Sequence, residues 1–198
     1  MIHVLKTAPL VEPVTLAEMR SHLGITQDAD ISRDNIITGR IISARMMAES
    51  YCRKAFVTQT LTGYAVDFPH CWTNLHRIPL KAPLQSVTSI NYLNVDTGAS
   101  QILAAPNYYV DVVSACVIPV YETQWPDARS ILNSVRVEYI SGYGLPAAVP
   151  ETIKDAIRFI VAQWEVFQSS MEGVMRPFTM PNAAKELLQN ECDMRNYL

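Results

Sequence analysis

The sequence predicts an α+β fold: a mostly helical core, built from an N-terminal helical hairpin and C-terminal helices, with an inserted antiparallel β-region. Three observations predict it. Ile31–Lys54 carries apolar residues at helical spacing, with Ile37, Ile41, Ala44, Ala48 and Tyr51 on one face. Ile153, Ala156, Ile157, Ile160, Trp164 and Phe167 form a second such stripe. Between them, residues 58–140 alternate with a period of two in several short runs.

The first helix is predicted by its caps. Thr15 is a good N-cap and Glu18 stands three residues on, which makes a capping box. Val14 and Met19 are placed for a hydrophobic staple, and Gly24 is the natural stop. Leu16, Met19 and Leu23 share its apolar face. Pro13 keeps the residues before it extended. The polar stretch Thr26–Ile31 then leads into the long helix, with Asp28, Asp30 and Ser32 all able to cap it. A continuous helix over Ile31–Lys54 is roughly 36 Å long. Ile36 and Met47 widen its stripe. Arg33, Arg40, Arg45, Glu49 and Arg53 lie off it, so Arg45–Glu49 and Glu49–Arg53 are expected as weak ion pairs on an exposed face.

The β-region opens with alternation from Thr60 to Phe68, closed by Pro69. Leu75–Leu80, Val87–Leu93, Gln101–Leu103, Tyr108–Val113 and Ala115–Val120 are further extended candidates, with Asp96-Thr97-Gly98 as a hairpin turn. VRVEYI, Val135–Ile140, is the clearest strand, and Ser141-Gly142-Tyr143-Gly144 breaks it. Pro146 and Pro150 introduce the last major helix, where Glu151 favours the N-terminal dipole. It is the expected partner of the Ile31–Lys54 helix. Ser169–Pro181 loses periodicity. Asn182 then caps a terminal helix, Ala183–Arg195, whose main apolar content is Leu187 and Leu188. The expected organisation is a single domain, 1–198. Its helical core comprises 14–57 and 150–168, its β-insertion 58–148 and its C-terminal tail 169–198.

Composition bounds the function. Of 198 residues, 49% are hydrophobic and 18% charged, an ordinary globular balance, and the net charge is −3. Binding nucleic acid by phosphate neutralisation needs a basic surface, which this chain lacks overall. Four scattered cysteines, Cys52, Cys71, Cys116 and Cys192, contain no C-x-x-C. They allow two disulfides, but a chain of this length needs no such staples, which favours thiols in a reducing compartment. MIHVLKTAPL has no basic segment followed by an apolar run, so no signal peptide is expected. No apolar run approaches the roughly 20 residues of a membrane span.

No catalytic constellation is evident. H-E-x-x-H, G-x-S-x-G and G-x-G-x-x-G are all missing from the sequence. His70, Cys71 and His76 make at most a partial metal site without a fourth ligand. Asp111, Glu122, Asp127 and Glu138 read as solvated charges. The expectation is no catalysis, no cofactor and no metal. Trp164 reads as core, whereas Trp125, between Gln124 and Pro126, reads as an interface candidate.

The order of motifs resembles the head–tail connector (adaptor) proteins of tailed bacteriophages and prophages. The matching pieces begin with Pro13-Val14-Thr15-Leu16-Ala17-Glu18, His22-Leu23, Ile41, Ala44-Arg45, Glu49-Ser50-Tyr51 and Gln59-Thr60. They continue with Pro79-Leu80, Pro83-Leu84, Val87-Thr88-Ser89-Ile90, Tyr109-Val110, Val137-Glu138-Tyr139 and Ser141-Gly142-Tyr143-Gly144. Val149-Pro150, Ile153, Ala156-Ile157, Pro181, Ala183-Ala184 and Leu187-Leu188 complete them. The stretch Ala115–Leu132 matches no motif of the family.

The resemblance implies a ring of subunits under the portal protein that extends the DNA channel and docks the next neck or tail-completion protein. It implies a place in the virion neck, assembly in the host bacterial cytoplasm, and DNA passing without specific binding. On this reading the tail docks the portal through Leu187, Leu188, Met194 and Tyr197. Two other classes compete: a DNA-binding regulator using the N-terminal hairpin, and a small enzyme whose site is assembled from distant residues. The helix Leu16–Leu23 carries only Arg20 and His22 as basic groups, which disfavours the first.

Overall fold

The structure, a computed structural model, describes residues 1–25, 31–69, 76–169 and 179–192. The elements in chain order are β1 (Ile2–Thr7), α1 (Leu16–His22), α2 (Ile31–Cys52), β2 (Gln59–Ala65), β3 (Ile78–Pro79), β4 (Leu84–Leu93), β5 (Ser100–Ile102), β6 (Tyr108–Asp111), β7 (Cys116–Pro119), β8 (Val135–Ser141), α3 (Glu151–Ser169) and α4 (Asn182–Gln189). The fold is α+β. It comprises two compact units, one formed by Met1–Pro9 and Thr58–Tyr143 and one by Leu10–Val57 and Gly144–Leu198.

The first unit is built on β-strands. Five antiparallel strands run in the order β1-β2-β8-β4-β5, and three more in the order β3-β7-β6. The alternation of VRVEYI fixes the register. Val135, Val137 and Tyr139 are buried, while Arg136 and Glu138 point away, Arg136 out to solvent. The apolar core gathers Leu61, Ile90, Val117 and Trp125 with those β8 residues. The hairpin turn after β4 is built on Asn94, whose side-chain oxygen accepts from the amides of Asp96 and Thr97, each at 3.0 Å. β1 is an element the sequence reading did not assign: its six residues are exposed, so no buried face marks it in the pattern. It adds an edge to β2, and its Lys6 pairs with Glu138.

His3 of β1 lies edge-to-face with Tyr139, centroids 5.9 Å apart, and its Nδ1 is 2.9 Å from the Tyr139 hydroxyl. That hydroxyl oxygen also accepts from the Lys81 amide at 3.3 Å. His3 is exposed as a whole residue, but its ring is enclosed against Tyr139; that enclosure first, then the positive N-terminus and Lys81, push His3 down to about 4. In the unfolded chain the group titrates near its ordinary value of about 6.5. The unfolded state therefore binds more protons between these values. The contribution is present above pH ~6.5 and is lost as the pH falls to about 4. Urea midpoints at pH 7.5 and 4.5 are expected to drop less for His3→Gln than for wild type. An equal drop in both would show that His3 is not the group responsible.

The second unit is helical. The Thr15 amide donates to Glu18 Oε2 at 2.7 Å and the Glu18 amide to Thr15 Oγ1 at 3.2 Å, so the capping box is complete. The Thr15 backbone bond, more than any other cause, holds the Glu18 carboxyl below its ordinary value. Val14 and Met19 are fully buried, as a staple requires. α1 ends in a Schellman turn: the Gly24 amide donates to Ser21 and the Ile25 amide to Arg20, with Gly24 at φ 68°. Asp28 and Asp30, two of the three candidate caps of α2, lie outside the described residues.

α2 and α3 pack together, and α3 also packs on α4. Ile37, Ile41, Ala44 and Ala48 of α2 meet this core with Ile153, Ala156, Ile157, Ile160 and Val161 of α3, all at most 2% exposed. Trp164 is buried too, whereas the Phe167 side chain lies outside the described residues. Glu165, near the end of α3, pairs with Arg40 and, at 3.9 Å, with Arg33, both in the first half of α2. The two helices are therefore antiparallel. α2 stops two residues before the expected Lys54, because Arg53 turns into the left-handed region at φ 56°. Tyr51 is exposed, and Cys52 takes its place in the core.

The expected exposed ion pair on α2 is corrected. Arg45 and Glu49 are buried, at 3% and 5% exposure. Arg45 Nε donates to Glu12 at 2.7 Å and its Nη1 to Glu49 at 2.8 Å; the other Glu49 oxygen accepts the Phe56 amide at 2.8 Å. The chain before α1 and the chain after α2 both cover this flank, so α2 is enclosed on more than its apolar stripe.

Candidate functional site

The chemistry expected of an enzyme site is not assembled among the described residues. No group of three or more His, Cys, Asp or Glu side chains there is placed to hold a metal ion. His76 is exposed, with Nδ1 3.4 Å from the Pro69 carbonyl; His70 and Cys71 lie outside the described residues. Among the described residues, two clefts lie one in each unit. One, of about 360 Å³, is lined by Arg40, Ser43, Met47 and Trp164. The other, of about 270 Å³, is bounded by Asn91, Ser100, Arg136 and Glu138. Neither lining pairs a nucleophile with a histidine base. No described helix is long and apolar enough to cross a membrane.

What the surface does offer is exposed apolar side chains. In the β unit several lie within or just before the stretch Ala115–Leu132, which matched no connector motif. The turn between β6 and β7 is held by Asp111, whose carboxylate accepts from the Val113 and Ser114 amides at 2.9 and 3.1 Å. That turn presents Val112 and Val113, the latter 89% exposed. Tyr121 and Leu132 are exposed almost as fully. In the helical unit, Ile42 and Met46 are four residues apart on α2, and Phe159 and Val166 are exposed on α3. Folding gains nothing from apolar groups left in water, so such side chains mark candidate contact surfaces when they cluster.

Trp125 is not among them. Its ring stacks on Phe68 with centroids 5.0 Å apart and planes 7° from parallel, and its indole N–H donates to the His76 carbonyl at 2.7 Å. It is 5% exposed and anchors the segment that carries Tyr121. Its polar neighbours in sequence suggested a loop, and the burial comes from distant partners. The sequence does not single out Tyr121, Val113 and Leu132, because Val113 reads as strand and the other two follow an apolar neighbour, Val120 and Ile131, without a periodic pattern.

The C-terminal segment is equally mixed. α4 runs only over Asn182–Gln189, with Pro181 rather than Asn182 at the N-cap position and no side-chain cap, and is thus shorter than expected. Ala184 and Leu188 are fully buried within the helical unit, while Leu187 is half-buried. Met194 and Tyr197 lie outside the described residues. Leu188 is therefore committed to its own subunit in this conformation, and Leu187 keeps an accessible side.

No family model and no curated protein matches the sequence. Solved structures do match. A chain of the neck of an empty gene transfer agent (GTA) particle, computed with C6 symmetry, superposes with a TM-score of 0.75 at 20% identity. The match covers 98% of this chain and 97% of that one. A chain of the virion of the native GTA particle gives 0.75 at 19% identity, with the same coverage of 98% and 97%. A chain of the native GTA neck computed with C12 symmetry gives 0.67 at 19%, again over 98% and 97%. From end to end, this chain has the fold of a component of those gene transfer agent particles.

Proposed function

We propose that this protein is a structural head–tail connector (adaptor) subunit in the neck of a phage-like particle. Copies close into a ring under the portal, extend the DNA channel and dock the next neck or tail-completion protein, without catalysis. Assembly takes place in the host bacterial cytoplasm. The observation that carries this reading is the shared fold over 98% of the chain with chains of GTA particles, two of them in structures of the neck. The surface supports it: a ring needs two different contact faces on each subunit, and exposed apolar side chains occur in both units. A net charge of −3 suits a channel through which DNA slides without sticking.

The test is assembly. Purified protein mixed with its portal is expected to form closed rings by electron microscopy, with a subunit number that is a multiple of six, in keeping with the C6 and C12 symmetry used for the GTA necks. A two-fold dimer as the only species, alone and with portal, would refute the ring.

Within this proposal the tail 169–198 docks the portal, through Leu187, Met194 and Tyr197, while Leu188 holds α4 down. Leu187→Ser combined with Met194→Ser and Tyr197→Ser is expected to leave the melting temperature within a few degrees of wild type and to abolish incorporation into portal-containing heads. Leu188→Ala is expected instead to cost about 2–5 kcal/mol of stability, by loss of burial plus a cavity. Normal incorporation of the triple variant would refute the docking role.

A further inference from the structure

We propose that Cys52 and Cys192 form a redox clasp, closing into a disulfide that pins α4 to the end of α2 when the protein meets an oxidising solution. Cys52 is the last residue of α2 and is fully buried; Cys192 follows α4 by three residues and is half-buried. Their sulfurs are 3.7 Å apart although the residues are 140 positions apart in sequence. Both sulfurs face the same carbonyl, that of Leu188, at 3.8 Å from Cys52 and 3.2 Å from Cys192. A neighbouring ion pair, Lys54–Glu191 at 3.9 Å, joins the same two chain ends. A disulfide spans about 2.0 Å, so the sulfurs need to approach by roughly 1.7 Å, which side-chain rotation and a small shift of the chain after α4 supply.

The chemistry is thiol–disulfide exchange with a low-molecular-weight disulfide such as oxidised glutathione. The Cys192 thiolate, the more accessible of the two, attacks one sulfur of that oxidant. A mixed disulfide forms and one small thiolate leaves. Cys52 then loses its proton and attacks the Cys192 sulfur. The Cys52–Cys192 bond forms, the second small thiol is expelled, and it carries away the proton. Two protein thiols are oxidised and one external disulfide is reduced. Burial pushes the Cys52 thiol up, which makes the second step the slow one and speeds it at alkaline pH. In a reducing cytoplasm the clasp is open and α4 is held by non-covalent contacts alone. Outside it, α4 is covalently fixed. The clasp does not depend on the assembly role proposed above.

The experiment uses the reduced full-length chain incubated with oxidised glutathione at pH 8. The expected result is loss of two of the four thiols, a non-reduced peptide map linking Cys52 to Cys192, and a melting temperature raised by roughly 5–10 °C. Dithiothreitol reverses all three. Cys192→Ser is expected to show no rise under the same treatment. Four thiols remaining, a stable glutathione adduct on Cys192, a bond that includes Cys71 or Cys116, or a Cys52–Cys192 bond without a rise in melting temperature would each overturn the proposal.

Discussion

Arg45→Ala is expected to destabilise the helical unit by about 3–5 kcal/mol, far more than a surface ion pair is worth. The guanidinium is 3% exposed and donates to two carboxylates, Glu12 at 2.7 Å and Glu49 at 2.8 Å. Removing it takes the Arg45 hydrogen bond from the Glu49 carboxylate, itself 5% exposed, in a place where water does little to replace it. Glu49 also accepts the Phe56 amide, so the strain reaches the turn that leaves α2. The pair as a whole is a different matter from its halves. Two charges taken out of water cost nearly what their attraction returns, so replacing both by Met and Leu is expected to cost less than the sum of Arg45→Ala and Glu49→Ala. Urea unfolding of the two single variants and the double variant measures this. A loss under 1 kcal/mol for Arg45→Ala would mean that the pair is screened like one on the surface.

The parts of the fold legible in the sequence are those set by neighbours along the chain. The capping box at Thr15 and Glu18 needs only residues three apart, and it forms as spaced. The alternation of Val135–Ile140 and the stripe from Ile153 to Trp164 each predict a buried face, and that face is buried. What the sequence leaves open is which distant segment covers a given flank. A helical stripe names one buried side of α2. It does not show that the residues around Glu12 and Phe56 close over Arg45 and Glu49. The burial of Trp125 is hidden for the same reason: Phe68 and the His76 carbonyl reach it across more than 45 residues of chain. The candidate contact surfaces are the hardest to read. An exposed valine at a hairpin tip has the same composition as a buried one in a strand, and only the turn at Asp111 tells Val113 from Val110.

Ile157→Asp is expected to unfold the helical unit. Ile157 is fully buried on the face of α3 that also carries Ile153, Ala156, Ile160 and Val161. α3 packs against α2 and α4, so this face has no route to solvent by a simple rotamer change. Two costs add. Removing the isoleucine side chain forfeits burial and leaves a cavity, about 2–5 kcal/mol. The carboxylate must then either stay ionised without a partner or take up a proton, and either course adds several kcal/mol at neutral pH. The sum is comparable to the roughly 5–15 kcal/mol that holds a typical protein folded. Val166→Asp is the matched control: it places the same charge on the same helix at a position 60% exposed. It is expected to change stability by no more than about 0.5 kcal/mol. Hydrogen exchange on both variants resolves the effect by segment: Ile157→Asp should remove protection from α2, α3 and α4 together, whereas Val166→Asp should leave it in place. An Ile157→Asp protein that melts like wild type would show that α2 and α3 do not form the stabilising core of this unit.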